Sequence, residues 1–125
     1  MQDILLLNKP LGMTPLELIQ SYVKTHPEYE GVKLGYAGRL DPMAEGLVLI
    51  LVGEENKQRE KYLGLDKEYE VEVLFGVATD TYDVLGLITA DSEYESGFVE
   101  GKISELIQNL QGTYQQAYPP YSSKT

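Results

Sequence analysis

Apolar residues fall into short runs along this chain, and their spacing alternates between the period of a strand and the period of a helix. Ile4 to Leu7 is a brief apolar run that reads as a strand. Thr14-Pro15-Leu16-Glu17 then carries the start signals of a helix. Thr14 can cap it, Pro15 fits the first helical position and Glu17 completes a capping box. Leu16, Ile19, Tyr22 and Val23 recur at helical spacing as its buried face, and His26-Pro27 ends it. His26, the only histidine, is expected at the solvent-facing C-terminus, where it favours the helix dipole. A polar connector follows, and Val32 to Leu34 reads as a short strand. Leu47 to Val52 is too short for a membrane span and rich enough in Val and Ile to be a buried strand.

Gly53 to Gly64 reads as an exposed helix, acidic first and basic later, with Gly64 as terminator. Lys67 to Phe75 gives the cleanest strand pattern. Tyr69, Val71, Val73 and Phe75 alternate with Glu68, Glu70, Glu72 and Leu74, which implies one buried and one largely wet face. Gly76 to Asp83 reads as a turn region and Val84 to Ala90 as a further strand. The acidic loop Asp91 to Gly97 leads to a helix from about Phe98 to Leu110. Its apolar stripe is Val99, Ile103, Leu106, Ile107 and Leu110, and Gly112 stops it. The order of elements predicts one α+β domain without repeats or a dividing linker.

Between two of these strands lies Gly35-Tyr36-Ala37-Gly38-Arg39-Leu40-Asp41-Pro42-Met43-Ala44-Glu45-Gly46. Its glycines permit backbone conformations closed to other residues, and Pro42 biases Asp41 toward an extended conformation. A lone Gly-x-x-Asp-Pro is most often a turn whose aspartate caps its own loop. A carboxylate on a stiff turn at the edge of a core sheet also suits nucleophilic chemistry. The full string resembles the catalytic motif of the TruB family of tRNA pseudouridine synthases, roughly Gly-His-x-Gly-x-Leu-Asp-Pro-x-Ala-x-Gly. Four further segments are similar to that family's motifs, in the same order. They are Lys9-Pro10-Leu11-Gly12-Met13-Thr14, Lys67-Glu68-Tyr69, Thr79-Asp80-Thr81-Tyr82-Asp83 with Gly86, and Tyr121-Ser122-Ser123-Lys124.

The resemblance implies part of the pseudouridine synthase catalytic fold, with a mixed, largely antiparallel sheet flanked by helices. It implies isomerisation of uridine to pseudouridine in RNA, with the T-loop uridine of tRNA as target. Uracil leaves its ribose, rotates and rejoins through carbon, which requires no redox step, metal or other cofactor. By the same resemblance Asp41 and Tyr69 are the catalytic residues, Asp41 as nucleophile and Tyr69 stacking on the extruded base and accepting a proton. Periodicity alone makes Tyr69 an ordinary core tyrosine. Lys9 and Lys67 are carried over as substrate-binding residues, although Lys67 also fits as a strand flank.

Tyr36 stands where the family has a histidine associated with base flipping. Arg39 gives Gly-Arg-Leu-Asp, similar to the sister RluA and RsuA families, and leaves a synthase acting on ribosomal RNA as one alternative. The other is a non-catalytic RNA- or protein-binding module that keeps the fold. Arg39 pairs with Glu45, contacts phosphate or, with Tyr36, fills the space left by the flipped nucleotide. The family's catalytic domain continues past the Tyr-Ser-x-x-Lys motif, so the chain is expected to be its N-terminal portion, with weak or no activity alone.

The 125 residues include 42% hydrophobic and 24% charged positions and no cysteine, so disulfides, thiolate metal sites and thiol nucleophiles are excluded. No run is long enough to cross a membrane, and a soluble cytoplasmic protein is the expectation. A formal net charge of −10 runs against RNA binding, which draws its non-specific affinity from phosphate neutralisation. The expectation is therefore local positive charge on Lys9, Lys24, Lys33, Arg39, Lys57, Arg59 and Lys61, all in the first half, together with RNA-binding surface in sequence outside this chain.

Overall fold

The computed structural model describes residues 1–91 and 96–121, without the side chains of 96–99. The chain divides into two compact units, Met1–Tyr69 and Glu70–Thr125. Both are built from helices and antiparallel strands, and the fold class is α+β.

The first unit holds strands β1 (Ile4–Lys9), β2 (Leu34–Ala37) and β3 (Gly46–Val52), and helices α1 (Pro15–Thr25) and α2 (Arg59–Leu63). The sheet order is β1-β3-β2, with both pairings antiparallel. The sequence therefore runs from one edge to the other before returning to the centre, where the most apolar strand is paired on both sides. Register places Leu5 opposite Ile50, Leu7 opposite Val48 and Tyr36 also opposite Ile50. Because side chains alternate across a strand, these residues share one face. That face packs on Leu18 and Ile19 of α1 and on Tyr29, forming the core with Val48 and Val52. Each fully buried aliphatic side chain there contributes about 1.5–3 kcal/mol relative to exposure.

Helix α1 begins as its capping box requires. The Thr14 hydroxyl accepts from the Glu17 amide at 3.2 Å, and the Glu17 carboxylate accepts from the Thr14 amide at 2.7 Å. Its buried residues are Pro15, Leu18 and Ile19. Leu16 is exposed, so the buried stripe includes Leu18 in its place. His26 caps the other end, half-buried, with its ring stacked on Tyr22 at 3.9 Å between centroids.

The expected helix over Gly53 to Gly64 is a 3₁₀ segment, Gly53–Gln58, that becomes α-helical only over Arg59–Leu63. The Asn56 side chain explains the tight start. Its amide donates to the carbonyls of Lys33, Leu51 and Gly53 at 3.3, 3.1 and 2.9 Å, fastening this segment to the sheet.

The expected strand over Lys67 to Phe75 does not form. No ladder partner lies beside it among the described residues, and Tyr69, Val71 and Val73 are exposed. Alternation marks a segment able to pair, but a strand exists only where a neighbour supplies the hydrogen bonds.

In the second unit, β4 (Val77–Thr79) pairs with β5 (Ile88–Asp91), and α3 spans Ser96–Asn109. Part of the expected turn is thus strand, and the expected strand from Val84 starts only at Ile88. The intervening loop is closed by its own side chains: Asp80 accepts from the Leu87 amide, and Asp83 from Thr81 and the Leu85 amide. Most of the acidic loop, the Val99 side chain and Ser122-Ser123-Lys124 lie outside the described residues.

Candidate active site

The loop from Gly38 to Glu45 joins β2 to β3 and is held at three points. Gly38 leaves the strand at φ +84°, a conformation that favours glycine. Behind Asp41 the Ala44 amide donates to the Asp41 carbonyl at 2.9 Å and closes a turn. Across from it, Gly12 in the β1–α1 loop, at φ +82°, donates its amide to the Pro42 carbonyl at 2.7 Å.

The third tie is Lys9. Its side chain has no exposed surface, and its ammonium donates to the carbonyls of Pro10, Met13 and Ala44 at 3.0, 2.7 and 2.5 Å. All three ammonium protons are consumed. Lys9 therefore does not offer its charge to a ligand, contrary to the expectation of a substrate-binding lysine. It staples the two loops that flank Asp41.

Asp41 is exposed, and no hydrogen bond or ion pair holds its carboxylate among the described residues. The backbone carrying it is fixed while the acid itself is free. Beside it opens a groove of about 430 Å³, within the usual size range for small-ligand sites. Its floor is the sheet face turned away from α1, including Leu6, Leu47 and Leu49. Arg39, Leu40 and Glu45 come from the Asp41 loop, Tyr62 from α2, and Asp66, Lys67 and Tyr69 from the segment after it.

The structure thus gathers Arg39, Lys67 and Tyr69 around one groove, with Asp41 on the bordering loop. Arg39 is exposed and makes no ion pair with Glu45. Lys67 donates to the carbonyls of Leu63 and Leu65 at 3.0 and 3.1 Å, capping the end of α2. Tyr69 is 65% exposed, so it is no core tyrosine. Tyr36 is not brought to the groove: it packs against the core cluster, with the Arg59 guanidinium 5.8 Å from its ring centroid.

Sequence reasoning missed Tyr62. It hid within a charged segment taken as a solvated face, where Tyr62 and Leu63 are the only apolar residues between Gly53 and Gly64. Its hydroxyl donates to Glu55, which Lys61 approaches at 3.8 Å. That hydrogen bond, and next its burial, raise the phenol above its ordinary pKa of 10.

No group of acids and histidines suited to a metal ion occurs among the described residues, and none of their helices is long and apolar enough to cross a membrane. What the groove offers is an apolar floor, aromatic walls, the free Arg39 guanidinium and the acids Glu45, Asp66 and Glu68, with Asp41 on the bordering loop.

Comparison with known proteins is consistent across the chain. It is 36% identical over 122 residues to tRNA pseudouridine synthase B of Psychrobacter arcticus, covering 96% of this chain and 32% of that protein. It is 33% identical over 124 residues to the protein of the same name from Aquifex aeolicus, covering 99% and 42%. The Protochlamydia amoebophila protein, again of that name, is 36% identical over 126 residues, covering 99% and 46%. The chain thus spans less than half the length of each of these relatives. Residues 24–125 match the TruB family pseudouridylate synthase (N terminal domain), and the chain belongs to that family.

Proposed function

We propose that this chain is the N-terminal portion of the catalytic domain of a pseudouridine synthase that isomerises uridine in tRNA, with the T-loop uridine as target. Asp41 is the nucleophile in this reading. Its carboxylate bonds transiently to the sugar or the base, the C1′–N1 bond breaks, the rotated uracil joins C1′ through C5 and the carboxylate is released, while C5 loses its proton and N1 gains one. The observation that carries the reading is a free, exposed carboxylate on a backbone tied at three points beside a nucleotide-sized groove. The relatives named tRNA pseudouridine synthase B support the reaction and the substrate.

Tyr69 supplies a face for the unstacked base. Arg39, unpaired, lies on the nucleophile's own loop, where it meets a phosphate or the space the base vacates. Lys67 keeps one proton beyond its two carbonyls for the same backbone. Tyr36 shares the flipping role only if its ring leaves the core. Lys9 acts on the substrate only through the loop it holds.

The test is release of tritium from uracil C5 of a T-arm RNA. It is run on this chain and on the chain extended to the length of its relatives. The extended enzyme is expected to release tritium, and Asp41→Asn to abolish release while keeping RNA affinity within about twofold. Full turnover by Asp41→Asn overturns the assignment. A net charge of −10 favours a second reading, a binding module that keeps the fold without the chemistry. That reading predicts no release from either wild-type version.

A further inference from the structure

The groove has an aromatic wall that the proposed chemistry leaves unused. Tyr62 sits on α2, half-buried, and lines the same groove as Tyr69, Arg39 and Lys67. Three contacts fix it. Its hydroxyl is committed to Glu55, Glu55 is in turn approached by the Lys61 ammonium at 3.8 Å, and that ammonium lies 4.9 Å from the Tyr62 ring centroid. A tyrosine free to rotate would lose side-chain entropy on binding, and this one has lost most of it already. With the hydroxyl spent on Glu55, the ring offers the groove hydrocarbon surface and no proton.

From this geometry we infer that Tyr62 is a substrate-binding residue: a preorganised aromatic surface on which a base of the bound RNA stacks, distinct from the one held by Tyr69. The inference rests on reading the groove as the nucleotide site. The ligand is a flat heteroaromatic ring of a ribonucleotide, because the wall is aromatic, the floor is apolar through Leu6, Leu47 and Leu49, and a free guanidinium at Arg39 awaits the phosphate. Two tyrosines bordering one groove accommodate two bases, the extruded uracil and a neighbour along the strand. Recognition through stacking tolerates any base at the second position, and its loss weakens binding without changing the chemical step.

Photocrosslinking separates the two tyrosines. A T-arm hairpin carrying 5-iodouridine at the target and at each adjacent position is irradiated in complex with this chain, and tryptic fragments are analysed by mass spectrometry. Cleavage after Lys61 and Lys67 leaves Tyr62 as the sole aromatic of fragment 62–67, with Tyr69 in the following fragment. The expected result is crosslinking to both fragments, from different labelled positions. Tyr62→Phe keeps its crosslink, whereas Tyr62→Leu, which preserves apolar bulk, loses it. On the extended enzyme Tyr62→Leu raises KM about tenfold, as a lost stacking contact requires, with kcat within about twofold.

Crosslinking at the Tyr69 fragment alone, or an unchanged KM in Tyr62→Leu, overturns the role of Tyr62 and leaves the groove reading standing. Crosslinking at neither fragment overturns both.

Discussion

Lys9 shows how far one side chain can govern this site without touching a substrate. A lysine with no exposed surface is costly unless its ammonium is fully hydrogen-bonded, and here three carbonyls receive it. Lys9→Met keeps the aliphatic stem and leaves three part-buried carbonyls without their donor. Each buried unsatisfied group costs about 1–3 kcal/mol, and partial relaxation leaves an expected loss near 3 kcal/mol. Urea denaturation should show it as a lower midpoint at an unchanged slope. Tritium release by the extended enzyme should fall with it, because the Ala44 contact is part of what fixes the Asp41 loop. The sequence made this residue visible as half of a Lys-Pro motif but not its direction. A motif lysine facing a ligand and one facing three carbonyls look alike in one dimension.

At the scale of elements, the legible features are those whose causes are local. Thr14, Pro15 and Glu17 announce α1, and the structure contains the capping box they spell. Thr14→Ala should cost about 1 kcal/mol of stability. Glu17 adds a pH dependence whose sign follows from its depressed pKa, caused first by the Thr14 amide and then by the Thr14 hydroxyl. A depressed carboxylate stabilises the fold fully above its ordinary value of 4.5 and loses that contribution as pH falls through the lower folded value. Glu17→Gln should therefore flatten the acid limb of a stability profile, measured by thermal melts below neutral pH.

Non-local causes were invisible. The alternation of Lys67 to Phe75 reads as a strand, yet whether a partner strand lies alongside is decided by residues far away in sequence. Gly35 reads as an ordinary loop glycine. A Cβ there would lie 2.2 Å from the Asn56 side-chain oxygen, and Asn56 is held by three carbonyls and cannot easily withdraw. Gly35→Ala should cost about 1–3 kcal/mol through this overpacking, read from the shift in melting temperature. Gly35→Ala combined with Asn56→Gly should recover the part due to the clash, leaving only the lost amide bonds.

For the molecule as a whole, the question is how so acidic a chain takes RNA. Residues 1–69 carry eight basic and eleven acidic side chains, and residues 70–125 carry two and nine. The unit that bears the groove is therefore close to neutral, and most of the negative charge lies in the other. The basic residues of the first unit are nevertheless largely engaged. Lys9 is buried on carbonyls, Lys57 pairs with Glu54, Lys61 approaches Glu55, Arg59 lies over Tyr36, and Lys67 caps α2. Arg39 and the remaining proton of Lys67 are the cations the groove presents. Binding to this chain should then draw little on counterion release. With two phosphates neutralised, log K against log salt should fall with a slope of about −1.4 for single-stranded RNA, or about −1.8 if the contacted stem is helical. Fluorescence anisotropy of a labelled T-arm hairpin over a salt series measures it. Arg39→Gln should reduce the slope by about one contact while leaving its residual value nonzero. A slope several times steeper would mean that the chain neutralises phosphates with lysines outside the groove, and would move the RNA path away from Asp41.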